Sequence, residues 1–159
     1  MKVLIVFDSF FGNTEQVARA MAEAVQSSAE VTVLRVDDAT PQQVDGTDLL
    51  IVGSPTRAFS PSPKTQQFLK SIGRGGLNGK AVAAFDTRIA LEDIDNRFLL
   101  FMAKRFGYAA GTLDNKLRRK KGRLLCPAEG FIVKDSEGPL KDGELDRAAQ
   151  WAHTLIPRV

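Results

Sequence analysis

Apolar residues fall along this chain in two rhythms. Short, nearly continuous apolar runs cover residues 2–7, 31–36, 48–53, 80–85 and about 123–133. Stretches with a period near that of a helix lie between them, at 13–27, about 62–73, 93–106 and 112–121, and a last one spans 143–156. The runs predict parallel strands covered on both faces, and the periodic stretches predict amphipathic helices. Their alternation predicts an α/β fold: a doubly wound parallel sheet with helices on both faces. In the last helix Asp142 is the expected N-cap, and Leu145, Ala148, Ala149, Ala152 and Leu155 form the expected buried stripe.

At 159 residues one domain, 1–159, is expected. No apolar stretch approaches a membrane span, and the chain enters a strand directly, so neither a membrane segment nor a cleavable signal is expected. The one cysteine, Cys126, cannot form an internal disulfide and suits a reducing cytoplasm. Beside Leu124, Leu125 and Pro127 it reads as a buried structural thiol. The one histidine, His153, argues against His-rich metal sites and leaves little for a Ser-His-Asp device.

Formal net charge is +3, which says little about partners. Lys116, Arg118, Arg119, Lys120, Lys121 and Arg123 do form a cationic cluster. It reads as a solvated helix face, or as a docking surface for an acidic protein or a phosphate-bearing nucleotide. No aromatic–basic platform accompanies it, so nucleic-acid recognition is not expected.

Right-handed crossovers put a ligand at the carboxyl ends of the strands. Three loops there carry the candidate chemistry. The first, 8–14, joins an apolar strand to a helix through Ser9-Phe10-Phe11-Gly12-Asn13-Thr14. A helix start offers unpaired N–H groups and a favourable dipole to an anion. Gly12 allows close backbone approach, and Ser9, Asn13 and Thr14 add donors. With no lysine, the loop suits one terminal phosphate better than a nucleoside triphosphate; an ordinary capped turn is the alternative. The second loop reads Ser54-Pro55-Thr56-Arg57-Ala58-Phe59-Ser60-Pro61-Ser62-Pro63, stiffened by three prolines. The third reads Asp86-Thr87-Arg88-Ile89-Ala90.

Taken together these residues resemble the flavodoxin family. Ser9, Gly12, Asn13 and Thr14 match its FMN phosphate loop, with Phe10 and Phe11 where small hydroxyl residues are usual. Gly53-Ser54-Pro55-Thr56 is similar to the start of the loop lining one face of the isoalloxazine. Gly79 to Phe85 resembles the strand before the second ring-binding loop, and Gly130-Phe131 through Glu144 resembles a split last strand. The resemblance implies strand order 2-1-3-4-5 in a five-stranded sheet, and FMN as cofactor. The implied cofactor-binding residues are Ser9, Phe10, Phe11, Gly12, Asn13 and Thr14 at the phosphate, with Ser54, Pro55, Thr56, Arg57, Ala58, Phe59, Asp86, Thr87 and Arg88 about the ring.

The family's usual ring-stacking Trp position falls on Arg57, and no aromatic stands near Thr87. Stacking then falls to Phe59, Phe10, Phe11, Arg57 or the 89–111 segment. That segment reads as a core-facing helix, a lid or a dimer patch. Pro55-Thr56-Arg57 with Phe59 also resembles a loop of FMN-dependent NAD(P)H:quinone reductases. Three functions are therefore carried forward. The first is an electron carrier serving a redox partner protein, an acidic one docking on Lys116–Arg123. The second is a small FMN-dependent NAD(P)H:quinone-type oxidoreductase. The third is a flavin-free binding or regulatory module. No acid–base residue is assigned, and monomer and homodimer both stay open.

Overall fold

The computed structural model describes residues 1–156, so the last three residues of the expected 1–159 domain lie outside the described residues. Strands β1 (Lys2–Phe7), β2 (Glu30–Arg35), β3 (Leu49–Pro55), β4 (Ala81–Ile89) and β5 (Arg123–Leu124) form a parallel sheet in the order β2-β1-β3-β4-β5. A sixth strand, β6 (Glu129–Val133), also pairs with β4, but further along: β5 meets Ala81 and Val82, and β6 meets Phe85 to Ile89. The single strand expected over 123–133 is thus broken. Pro127 has no N–H to give the ladder, and the Ala128 N–H turns away to Asp114 Oδ2 at 3.0 Å.

Two strands outrun the expectation. β3 continues to Pro55 and β4 to Ile89, because each supplies the other's partner (Ser54 with Asp86, Pro55 with Thr87) and β6 covers the far edge of β4. Residues 86–88 are therefore strand rather than loop.

Helices α1 (Asn13–Val25) and α6 (Glu144–Leu155) cover one face of the sheet. The other face carries α2 (Pro41–Asp45), α3 (Pro63–Ser71) and α5 (Ala109–Arg119). Alternate strand residues feed the two cores: Val3, Ile5 and Phe7 go to the first, Leu4 and Val6 to the second. Phe85, Phe131 and Trp151 meet edge to face in the first core, with centroids 6.0–6.4 Å apart. Gly53 makes room for this trio, since a β-carbon there would lie 2.1 Å from Phe85 Cζ. The five-residue α2, too short to show a period, is set by a capping box between Thr40 and Gln43.

The last helix starts differently from the expectation. Its N-cap is Gly143, and the fully exposed Asp142 carboxylate instead faces Lys134 at 3.6 Å. Leu145 points outward, while Ala148, Ala152 and Leu155 are buried as expected, with Trp151. Cys126 is half-buried, and burial pushes its thiol pKa up. Helix α4 (Arg97–Phe106) buries only Ala103, while Phe98 and Phe101 are 66% and 63% exposed. It is not the core-facing helix that periodicity alone suggests. No helix among the described residues is long and apolar enough to cross a membrane.

Candidate cofactor site

The carboxyl ends of β1, β3 and β4 surround a cavity of about 500 Å³. One wall is the start of α1. Gly12, its N-cap, has φ +87°, and among the described residues no side chain caps the helix. Ser9 Oγ accepts the Gly12 N–H at 3.0 Å, which folds the loop back on itself. The N–H groups of Asn13, Thr14 and Glu15 are left without partners among the described residues. Glu15, the acid of this first turn, is held by Arg19 at 2.8 Å and Arg35 at 3.2 Å, and Arg35 also donates to the Ser9 carbonyl at 2.8 Å. The positive end of the helix is thereby kept from neutralisation by its own acid.

The side chains of this loop tie it to its neighbours. The Thr14 and Thr87 hydroxyls meet at 2.9 Å, and Asn13 Nδ2 donates to the Glu137 carbonyl at 3.0 Å.

The second wall is a tight two-residue hairpin. Arg57 and Ser60 exchange both backbone hydrogen bonds at 2.9 Å, with Ala58 at φ +44° and Phe59 at φ +64°. Such turns favour glycine, and a left-handed backbone costs another residue about 1–2 kcal/mol. Ser54, wholly buried, helps hold the strained loop by accepting the Ser62 N–H at 2.9 Å and donating to the Pro55 carbonyl at 3.0 Å. The turn sends two side chains in different directions. The Arg57 guanidinium lies over the rings of Phe10 (4.9 Å) and Phe11 (5.8 Å) at the cavity. Phe59 leaves it and packs near Phe106, with centroids 6.4 Å apart.

The third wall is the end of β4. Arg88 Nε donates to Asp86 Oδ1 at 2.5 Å, and the guanidinium stacks over Tyr108 at 4.1 Å. Asp86 is wholly buried and also accepts from Thr56 Oγ1 (3.1 Å) and from Ala110 N (2.7 Å) at the start of α5. Burial raises its pKa against the pull of Arg88 and these donors, and the helix dipole favours its charge.

The structure therefore brings together Ser9, Phe10, Phe11, Asn13, Thr14, Pro55, Thr56, Arg57, Ala58, Thr87 and Arg88 as lining, with Gly12 at the helix start. Ser54 and Asp86 support these walls from behind, and Phe59 faces elsewhere. Ile89, from the third candidate loop, also lines the cavity, and Val133, Ser136 and Glu137 line it without having been expected there. Their signal was weak: β6 and its following turn arrive from far along the chain.

The cationic cluster sits apart from all of this. α5 begins at the cavity edge of the sheet, through Ala109 N to Thr56 Oγ1, and ends at the opposite edge, where Arg123 pairs with Ala81. Lys116–Arg123 thus lies at the far end of an 11-residue helix, roughly 16 Å long.

A family model described as Flavodoxin matches residues 5–152. The chain belongs to the flavodoxin family. A curated flavodoxin from Aquifex aeolicus (strain VF5) is 36% identical over 91 residues, covering 54% of this chain and 49% of that one. An NAD(P)H dehydrogenase (quinone) from Acidovorax ebreus (strain TPSY) is 34% identical over 109 residues, covering 53% and 54%. The chain thus spans about half the length of the curated relatives it matches. A solved flavodoxin from the domain Archaea superposes with TM-score 0.75 at 20% identity, covering 98% of this chain and 96% of that one, and shows the shared fold.

Flavodoxin membership implies a flavin cofactor. The residues present fit one: an uncapped helix start suits a phosphate, and the same cavity carries Arg57, Phe10 and Phe11 as a wall for a planar ring.

Proposed function

We propose that this flavodoxin-family chain binds FMN in the cavity at the ends of β1, β3 and β4 and carries electrons between redox partners. One observation carries the reading: the uncapped start of α1 opens on the same cavity as the Arg57–Phe10–Phe11 cluster. The backbone N–H groups of Asn13, Thr14 and Glu15, with the Ser9 and Thr14 hydroxyls and the Asn13 amide, hold the phosphate. Pro55, Thr56, Arg57 and Ala58 bound the ring on one side, Thr87 and Arg88 on another. Bound FMN supplies one- and two-electron chemistry. Arg57 favours the negative charge gained on reduction, while the charge of Arg88 is offset by Asp86, and Phe10 and Phe11 shield the cavity from water. Ser54 and Asp86 act as positioning residues for these walls. The far cluster Lys116–Arg123 steers an acidic partner through its field, at a distance from the cofactor.

The test is an absorbance spectrum of the purified chain, followed by anaerobic reductive titration. A flavin spectrum restored by FMN and not by riboflavin is expected, and a chain that takes up neither overturns the reading.

A second reading, a small FMN-dependent NAD(P)H:quinone-type oxidoreductase, is favoured by a cavity of about 420 Å³ beside the first one, with Phe59, Ile94, Leu99 and Tyr108 in its wall. Bleaching of the flavin by NAD(P)H without an added reductase separates the two readings.

A further inference from the structure

Helix α4 packs one side against the molecule and leaves the other bare. Leu99 and Ala103 turn inward and line the cavity of about 420 Å³ beneath it. A helix advances about 100° per residue, so Lys104, Arg97, Phe101, Arg105 and Phe98 share about 120° of the opposite side. All five are exposed. Among the described residues, every exposed large apolar side chain except Met1 and Leu145 belongs to α4 or to the Phe10–Phe11 pair. Phe10 and Phe11 line the cofactor cavity, whereas Phe98 and Phe101 line neither cavity. The helix carries no acidic residue, and Arg97, Lys104 and Arg105 make no ion pair among the described residues. We infer that α4 docks on the surface of an anionic lipid membrane, with Phe98 and Phe101 entering the headgroup boundary and the three cations meeting lipid phosphates.

Whatever covers this face must be apolar and negatively charged at once. A bilayer containing anionic lipid offers both, and a helix with aromatic rings among cations suits its interface. A second copy of the chain fits poorly: a two-fold axis through α4 would set three cations against the same three. The face of this 10-residue helix, roughly 15 Å by 10 Å, is also far smaller than the ~800 Å² a stable protein interface takes from each partner. A lipid surface asks for no matched shape. A convex helix likewise gives a nucleic-acid strand no groove to track. The acids nearest in sequence stand aside. Asp93 and Asp95 line the cavity on the inner side, the first held by Lys141, and Glu92 lies before the helix begins. The proposal goes beyond the flavin reading and does not depend on it, since it concerns where the chain sits and not what it reduces.

The test is cosedimentation of the full chain with vesicles of equal parts phosphatidylcholine and phosphatidylglycerol, and with phosphatidylcholine alone. Binding to the mixed vesicles only is expected. Phe98→Ser with Phe101→Ser, and separately Lys104→Glu with Arg105→Glu, are expected to weaken it about tenfold or more. Both pairs replace exposed side chains, and an unchanged denaturation midpoint checks that the variants fold. Lys120→Glu with Lys121→Glu, in the far cluster, is expected to bind as the unmodified chain does. In Phe101→Trp, emission is expected to shift to the blue on mixed vesicles, while buried Trp151 gives the unmodified chain no such shift. Absence of binding, equal binding to phosphatidylcholine alone, loss in the Lys120 and Lys121 variant with retention in the Phe98 and Phe101 variant, or an unmoved Phe101→Trp emission each overturns the proposal. So does a dimer in sedimentation velocity that Phe98→Ser with Phe101→Ser splits, which assigns the face to a second copy. Binding of a single-stranded oligonucleotide that needs both rings overturns it in favour of nucleic acid.

Discussion

Arg88 lies across Gly130: a β-carbon at residue 130 would come within 2.3 Å of Arg88 Cζ. The missing side chain leaves the guanidinium room to reach Asp86 and Tyr108 at once. Gly130→Ala is therefore expected to push Arg88 off Asp86. Arg88→Ala leaves a buried carboxylate without its ion partner, and the expected loss is about 3 kcal/mol, the low end for a broken buried pair because Thr56 and Ala110 still donate. Urea denaturation measures both. The double variant Arg88→Met with Asp86→Asn should recover most of the loss, since no charge is then stranded.

The contact between the Thr14 and Thr87 hydroxyls joins positions 73 residues apart. Thr14→Ala together with Asn13→Ala is expected to weaken FMN far more than riboflavin. Each lost charge-assisted hydrogen bond is worth roughly 1.5–3 kcal/mol. Equal weakening of both ligands in a fluorescence titration would place the phosphate elsewhere.

Ala58→Gly is expected to stabilise the chain, against the usual direction for that change. At φ +44° alanine is strained and glycine is not, a gain of about 1 kcal/mol before the added unfolded-state freedom is set against it. A denaturation midpoint that falls would show that the turn is relaxed.

Acid stability is expected to depend on Glu144. Burial pushes its pKa up, but the hydrogen bonds from Arg147 and from Ile132 N–H, with the charges of Arg147 and Lys141, outweigh burial and lower it below 4.5. A carboxyl with a lower pKa folded than unfolded stabilises the fold above its unfolded value, and that contribution is lost as pH falls through the folded value. Glu144→Gln should lower stability at neutral pH and flatten the decline as pH falls below the ordinary carboxylate range. Denaturation midpoints across that range, with unchanged slope in the variant, would remove Glu144 from the account.

Much of this was legible in the residues. Continuous apolar runs give β1, β3 and β4, and the polar loop with Gly12 before a periodic stretch gives the start of α1. What could not be read depends on distant partners. Residues 86–88 extend as strand only because β6 arrives to pair with them. Likewise the N-cap at Gly143 rather than Asp142 depends on where β6 and its turn deliver the chain. Phe59 stands two residues from Arg57, yet two left-handed backbone angles send it to another cavity. The apolar content of α4 reads as core, but only Ala103 among its residues finds cover.

Three helices begin at the ligand edge: α1 after β1, α3 after β3, and α5 after the short link from α4. Ser62 caps α3, and Asp86 with Thr56 caps α5. The start of α1 alone among these three lacks a side-chain oxygen. A capping side chain typically adds about 1 kcal/mol of stability, but at φ +87° position 12 strains any residue with a β-carbon, so a cap here must come with a rebuilt loop and would then compete with an anion for the same N–H groups. Stabilising the ligand-free chain at this helix start would therefore act directly against ligand affinity. Heat-resistant variants obtained without flavin should accumulate changes at positions 9–12 that make the protein a poorer flavin binder.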